Sequence, residues 1–188
     1  MKRILIIMTM SLIMIGAYAQ EHLSFKGIPV EGSMKSFCIK LDSKGFTAID
    51  SQGSLTLFTG EFIGRNVSVG VMSTNDGKNV FSVGVLFLAS DDWQSLVKEY
   101  NYYKNLYERK YGKPLSCIEN NPAQGDSNAA LMGEVHNGTA EYVSIWKIAD
   151  GSIVLKIVKS NFYEGQVMIS YINNENIESV LKQDMDDI

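Results

Sequence analysis

Few side chains in this sequence have the chemistry of a catalytic nucleophile or base. Two histidines, His22 and His136, and two cysteines, Cys38 and Cys117, occur in 188 residues. A hydrolase with a serine or cysteine nucleophile needs a histidine within hydrogen-bond reach. His136 lies in a segment typical of a solvated turn, and the apolar neighbours of Cys38 would raise the pKa of its thiol. We therefore interpret none of these residues as catalytic.

Paired carboxylates are the second kind of catalytic group that the chain could supply. A hydrolase of this kind holds two of them roughly 5 to 10 Å apart across a cleft. Four glutamates lie on or beside the strand-like segments, and these are Glu61, Glu134, Glu141 and Glu164. Because most glutamates on strands simply keep an exposed face hydrated, a hydrolase with such a pair is the alternative function.

Metal and phosphate sites have recognisable spacings, and the sequence lacks them. The segment from Asn75 to Asn79 resembles part of a calcium loop, but it has neither the alternating acidic ligands nor the closing glutamate. Its Asn-Asp-Gly core suits a tight hairpin without a cation. No glycine-rich phosphate loop and no Cys-x-x-Cys pair occurs. We therefore assign no metal-binding and no cofactor-binding residues.

Two amphipathic helices are the clearest elements that could position these groups. Ser33 is the predicted N-cap of the first, and Gly45 ends it. Asp91 or Asp92 caps the second, and Gly112 ends it. The remaining pattern predicts strands at 46–50, 55–63, 130–135, 141–148 and 166–172, hairpins around 75–77 and 150–151, a surface loop at 119–128 and a short helix at 175–182.

The pattern of apolar side chains favours one register for each hairpin. A three-residue loop over 75–77, with Gly77 left-handed, collects the valines on one face and pairs Val71 with Phe81. A two-residue turn at Asp150-Gly151 places Trp146 opposite Leu155. Both registers give one coherent apolar face.

Together these elements predict an α+β fold, in which helices pack on one face of an antiparallel sheet. The chain divides into two similar halves, 27–88 and 92–172, each a helix followed by a strand meander. This order, with the tyrosine-rich segment 103–114, resembles the secreted β-lactamase-inhibitor-like proteins and related small envelope proteins of Gram-negative bacteria. The resemblance implies a fold and an exported protein, and it carries over no functional residue.

Residues 1–19 have the layout of a secretory signal peptide. Lys2 and Arg3 precede a short apolar stretch that ends in Ala17-Tyr18-Ala19. The apolar run is shorter than the roughly 20 residues of a spanning helix, the alternative interpretation. Gln20 follows the predicted cleavage site, where a lipoprotein would carry an acylated cysteine. We expect a periplasmic or extracellular protein without a membrane anchor.

The remaining residues, 20–188, have the length of one domain. Removing Lys2 and Arg3 from 17 basic residues leaves 15 against 21 acidic ones, a net charge of −6. Acidic and basic residues are mixed along the chain, which is unlike a nucleic-acid footprint or a polybasic membrane patch. We therefore expect no nucleic-acid partner.

The two cysteines leave two interpretations open. Cys38 and Cys117 could form a disulfide in an oxidising compartment. Cys38 also falls on the apolar face of the first helix with Phe37 and Leu41, where a free thiol acts as a small hydrophobe.

The tyrosines of the second helix bear on function. Tyr100, Tyr103, Tyr107 and Tyr111 follow its buried stripe, whereas Tyr102 falls off the stripe and could contact a partner. We interpret the protein as a non-enzymatic binding or accessory protein. Its expected ligand is a protein, peptide or glycan of the cell envelope, held by the sheet's open face or by the loop 119–128. A structural envelope component is a further alternative.

Overall fold

The computed structural model describes residues 22–161 and 163–178, so the predicted signal peptide 1–19 and part of the predicted helix 175–182 lie outside the described residues. The elements in chain order are β1 (Ser24–Phe25), β2 (Ile28–Pro29), α1 (Met34–Asp42), β3 (Thr47–Gln52), β4 (Leu55–Phe62), β5 (Arg65–Ser73), β6 (Val80–Leu86), α2 (Trp93–Tyr111), β7 (Ser116–Asn120), α3 (Asn128–Asn137), β8 (Glu141–Ile148), β9 (Gly151–Lys159) and β10 (Gly165–Asn173). Residues 174–178 are helical.

An eight-stranded antiparallel sheet is the framework of the molecule. Its strand order is β3-β4-β5-β6-β10-β9-β8-β7. Helix α1 packs against β3 and β5, while α2 and α3 pack against β9 and β10. The side chains beneath the helices are buried, as Val69, Val83 and Ile169 illustrate. The prediction of an α+β fold with an antiparallel sheet is therefore confirmed.

The same order of elements occurs twice along the chain. Helix α1 leads into β3–β6, and α2 leads into β7–β10 with α3 inserted after β7. The last strands of the two halves, β6 and β10, pair at the centre of the sheet. Each half contributes four strands, and the two halves share one core.

The hairpin β1–β2 fills the space between the two halves. Phe25 is fully buried at its tip. Its ring lies 5.7 Å from that of Phe46, 5.3 Å from that of Phe62 and 5.4 Å from that of Tyr171. The hairpin therefore joins an aromatic cluster to which both halves contribute.

Helix ends follow the predicted caps. The Ser33 hydroxyl accepts from the amide of Ser36, and the Asp92 carboxylate accepts from the amide of Ser95 at 2.8 Å. Helix α2 ends at Gly112, whose φ of 81° lies in the left-handed region. These side chains satisfy amides that a first helical turn leaves unpaired.

The prediction of a strand at 130–135 is wrong, because these residues belong to α3. The Ser127 hydroxyl caps this helix by accepting from the amide of Ala130, and Gly138 ends it with a φ of 75°. The predicted loop 119–128 is also too long, since its first two residues end strand β7. The short apolar run from Ala129 to Met132 fits a helix or a strand equally well, so its period does not decide between them.

Both predicted hairpin registers are wrong by two residues. Val71 pairs with Val83 and Trp146 pairs with Ile153. At β5–β6 the connection is longer than predicted, because Asp76 accepts from the Thr74 hydroxyl at 2.6 Å and from the Lys78 amide at 3.0 Å. A shift of two keeps a side chain on the same face, so the valines of both strands up to Val83 lie on the predicted apolar face. Beyond Val83 a register shift leaves Phe81 without a partner and buries Val80.

The two cysteines are free thiols. Cys38 lies in α1 beside Thr56 of β4, and Cys117 lies on β7 at the far edge of the sheet. Six strand spacings separate β4 from β7, about 29 Å, whereas a disulfide needs Cα atoms within roughly 7 Å. The fold therefore rules out a bridge within one chain.

Candidate functional site

A cavity of about 280 Å³ lies where the two halves and the β1–β2 hairpin meet. We call it the inter-half cavity. The hairpin contributes Ser24, Lys26 and Gly27, the β4–β5 turn contributes Phe62 and Ile63, and the second half contributes Leu106, Tyr107, Lys110, Tyr111 and Tyr171. The cavity thus exists only because three separate parts of the fold converge.

Two tyrosines that share a hydrogen bond form its floor. The hydroxyls of Tyr107 and Tyr171 are bonded to each other, which ties α2 to the central strand β10. Burial raises the pKa of both phenols well above their usual value. Both hydroxyls are therefore neutral at physiological pH and remain able to donate or accept hydrogen bonds.

The aromatic wall extends beyond this pair. The ring of Tyr107 lies 5.7 Å from that of Tyr111 and 5.5 Å from that of Trp146. The Trp146 indole donates to the carbonyl of Gly112 at 2.9 Å, which fixes the end of α2 against the sheet. These packed rings make the wall rigid and largely apolar.

Two exposed lysines give the cavity its charge. The ammonium of Lys110 lies 4.7 Å from the ring centroid of Tyr111, and that of Lys26 lies 5.9 Å from the ring centroid of Phe46. Among the described residues that line the cavity, none is a carboxylate. A cationic rim over an aromatic floor suits a ligand that is both anionic and apolar.

Two strained turns shape the walls. Lys26 has a φ of 53° and Ile63 a φ of 51°, and among the described residues these are the positive values outside glycine. Each precedes a left-handed glycine, Gly27 or Gly64, in a two-residue hairpin turn that favours Asn-Gly. For a β-branched side chain such as Ile63 this conformation is an outlier. Backbone strain of this kind is concentrated at functional sites.

A second cavity, of about 380 Å³, lies nearer the start of α2. We call it the α2 cavity. Arg65, Leu88, Ala89 and Ser90 form one side, and Ser95, Lys98, Glu99 and Tyr102 of α2 form the other. The Tyr102 side chain is 49% exposed, so the prediction that it falls off the buried stripe is confirmed. Burial raises the pKa of Glu99, and the charge of Arg65 opposes that rise.

The catalytic candidates of the sequence are dispersed. Glu61 lies on β4 and Glu141 on β8, five strand spacings or about 24 Å apart. Glu134 belongs to α3, where it accepts from the Thr139 hydroxyl, and Glu164 bonds Asn161 before β10. None of the four lines either of the two cavities.

The cysteine and histidine candidates are also apart. Burial raises the pKa of the Cys38 thiol, in agreement with its apolar surroundings. His136 lies in the last turn of α3, in the other half of the molecule. His22 Nδ1 lies 3.2 Å from Oδ2 of Asp150, and the other carboxylate oxygen, Oδ1, accepts from the amide of Leu23. These contacts attach the first described residues to the β8–β9 turn.

The chain matches no family model, no curated protein and no solved structure. Within the part of the chain that the structure describes, no helix has the length and apolar character needed to cross a membrane.

Sequence reasoning missed the residues that form the inter-half cavity. Lys26 and Lys110 look like ordinary surface residues, and Tyr107 and Tyr111 follow the stripe that covers the sheet. Ile63 ends the predicted strand 55–63, but the structure places it in the β4–β5 turn. The sequence signal for the two strained turns is the glycine that follows Lys26 and the glycine that follows Ile63. In a two-residue turn of type I′, the residue before such a glycine also takes a positive φ. The convergence of the two turns with α2 is a tertiary property.

Proposed function

We propose that the protein is an extracytoplasmic, non-enzymatic binding protein that holds a small amphipathic anion in the inter-half cavity. The observation that carries this proposal is the pair of lysines, Lys26 and Lys110, at the rim of a cavity with a tyrosine floor. The ligand class is a carboxylate or similar anion on an aromatic or aliphatic body. Export rests on the signal-like residues 1–19.

The size and chemistry of the cavity support a small molecule. Its volume is near the lower end for ligand pockets, which span about 300 to 1,000 Å³. A charge-assisted hydrogen bond contributes about 1.5 to 3 kcal/mol, and each apolar Å² removed from water adds about 25 cal/mol. Together these terms allow a ligand of this class to bind without a large protein interface.

The neutral hydroxyls favour binding over catalysis. A general base works best with a pKa near the operating pH, whereas the pKa of Tyr107 and that of Tyr171 are raised by burial. The described residues that line the cavity include no histidine, cysteine, aspartate or glutamate. The floor is therefore suited to orient a polar group rather than to move a proton.

Isothermal titration calorimetry with matched ligands tests this proposal. We expect 4-phenylbutyrate to bind about tenfold more tightly than its neutral amide, which corresponds to about 1.4 kcal/mol. Lys26→Gln and Lys110→Gln should each reduce that preference. Lys147→Gln is the control, because Lys147 is exposed on the sheet face opposite the helices. Equal affinity for acid and amide, or no binding of either, contradicts the proposal.

A further inference from the structure

The two cavities lie along the same edge of α2. Glu99, Tyr102, Leu106 and Lys110 recur at helical spacing and share one side of the helix. The first two line the α2 cavity and the last two line the inter-half cavity. Across from them, the β4–β5 connection contributes Ile63 to one cavity and Arg65, two residues later, to the other.

The two cavities along this side of α2 carry a charge opposite to that of the whole protein. The full chain has a formal net charge of −4. The two cavities are lined by four basic side chains, Lys26, Lys110, Arg65 and Lys98, and by one carboxylate, Glu99. A basic groove on an acidic protein attracts anions and is complementary to a ligand with more than one negative charge.

The spacing along α2 sets the length of a ligand that reaches both cavities. The helix residues of the two cavities are centred about ten residues apart, which is about 15 Å at 1.5 Å per residue. A compact anion would occupy one cavity only.

From the shared side of α2, the charge and the spacing of the two cavities, we propose that they are the ends of one groove that binds an elongated dianion, with one anionic group beside Lys26 and Lys110 and the other beside Arg65 and Lys98. This inference rests on the proposed function and adds the ligand's shape to it. The apolar middle of the ligand lies against Leu106 and Tyr102. Glu99 reduces the positive charge of the α2 cavity, where the charge of Arg65 acts on its carboxyl group.

A series of aliphatic acids tests the inference. We expect dodecanedioate to bind about tenfold more tightly than dodecanoate, while hexanedioate is too short to gain from its second carboxylate. Arg65→Gln and Lys98→Gln should each lower the affinity for dodecanedioate to that for dodecanoate, and leave dodecanoate binding unchanged. Lys156→Gln, on the opposite sheet face, is the control.

The outcomes separate this inference from the proposed function. If dodecanoate binds and dodecanedioate binds no more tightly, the single groove is wrong and the inter-half site stands. If the dianion gains affinity but Arg65→Gln and Lys98→Gln do not reduce it, the second anionic group lies elsewhere and the inference is overturned. If neither acid binds, both proposals are wrong.

Discussion

The two halves of the molecule have the same order of elements but different helices. In the first half α1 has 9 residues and contacts β3 and β5, whereas in the second half α2 has 19 residues and lies over β9 and β10. The short helix leaves part of its side of the sheet uncovered, and the β1–β2 hairpin fills that space. The inter-half cavity forms at this border. The cavity therefore lies where the two halves of a repeated fold differ in the length of their helices.

The turns show the same contrast. Ile63, in the β4–β5 turn of the first half, takes a positive φ beside the cavity. The corresponding β8–β9 turn of the second half, Ala149–Asp150, has no positive φ. Its Asp150 carboxylate instead accepts from the amide of Leu23 at 2.7 Å. The β4–β5 turn is strained and lies beside a cavity, whereas the β8–β9 turn binds the segment before β1.

The largest expected change in the free energy of unfolding comes from replacing one glycine in each half. A Cβ on Gly60 would collide with the ring of Phe46, which is buried and rigid. A Cβ on Gly165 would approach Leu96 Cδ1 at 2.8 Å and Val135 Cγ1 at 3.0 Å, a milder overlap than that at Gly60. We expect Gly60→Ala to lower the free energy of unfolding by about 3 kcal/mol and Gly165→Ala by about 1. Urea denaturation measures both, and a larger loss for Gly165→Ala would contradict the packing argument.

The next effect tests the tyrosine floor. Tyr107→Phe removes the partner of the buried Tyr171 hydroxyl, so we expect the free energy of unfolding to fall by about 1 to 2 kcal/mol. Tyr102→Phe is the matched control on the same helix, because its exposed side chain should change stability by less than about 0.5 kcal/mol. Thermal unfolding of the two variants gives the comparison, and equal effects would show that the buried pair contributes nothing.

A smaller change, at Ile63, is expected to raise the stability of the fold. Ile63→Asn places a residue that tolerates positive φ before Gly64, so we expect a gain of about 1 kcal/mol in stability. The same change removes an apolar side chain from the cavity wall and should weaken 4-phenylbutyrate binding. Denaturation and calorimetry on one sample measure both. A variant that loses stability would show that Ile63 contributes more by its contacts than its backbone costs.

The smallest effect concerns pH and a loop of the first half. Hydrogen bonds from Thr74 and Lys78 lower the pKa of Asp76 to about 2. A carboxyl whose pKa is lower in the folded state stabilises the fold above its unfolded pKa, and this contribution is lost as the pH falls from about 4 towards 2. Asp76→Asn should therefore lose slightly less stability than the wild type over that interval. Identical acid denaturation curves would show that the loop bonds have no effect.

Local signals in the sequence predicted the elements well where one signal was dominant. Ser33, Asp92 and Gly112 mark helix ends because their side chains or backbone freedom act within one turn. Helix α3 was missed because its run of small and apolar residues has no decisive period. The two hairpin registers differ from the prediction by two residues for different reasons. At β5–β6, bonds such as that between Thr74 and Asp76 hold a longer loop. At β8–β9 the turn keeps two residues and moves by one position, to Ala149–Asp150.

The candidate site could not be predicted, for a different reason. Lys26 and Lys110 are more than eighty positions apart, and neither forms a pattern with its neighbours. They share a cavity because α2 is long and α1 is short, which places the β1–β2 hairpin against the end of α2. Tyr102 is the exception, because its position off the helical stripe indicated exposure from the sequence alone.

The most direct test of the account is to locate the ligand on the protein. A two-dimensional amide NMR titration of the protein with 4-phenylbutyrate reports which backbone amides the ligand perturbs. We predict that the largest shift changes fall on the hairpin at Lys26 and Gly27, on the β4–β5 turn at Ile63, and on the end of α2 at Tyr111. Changes confined to the opposite sheet face, around Ile145 and Val154, would contradict the assignment of the inter-half cavity as the binding site.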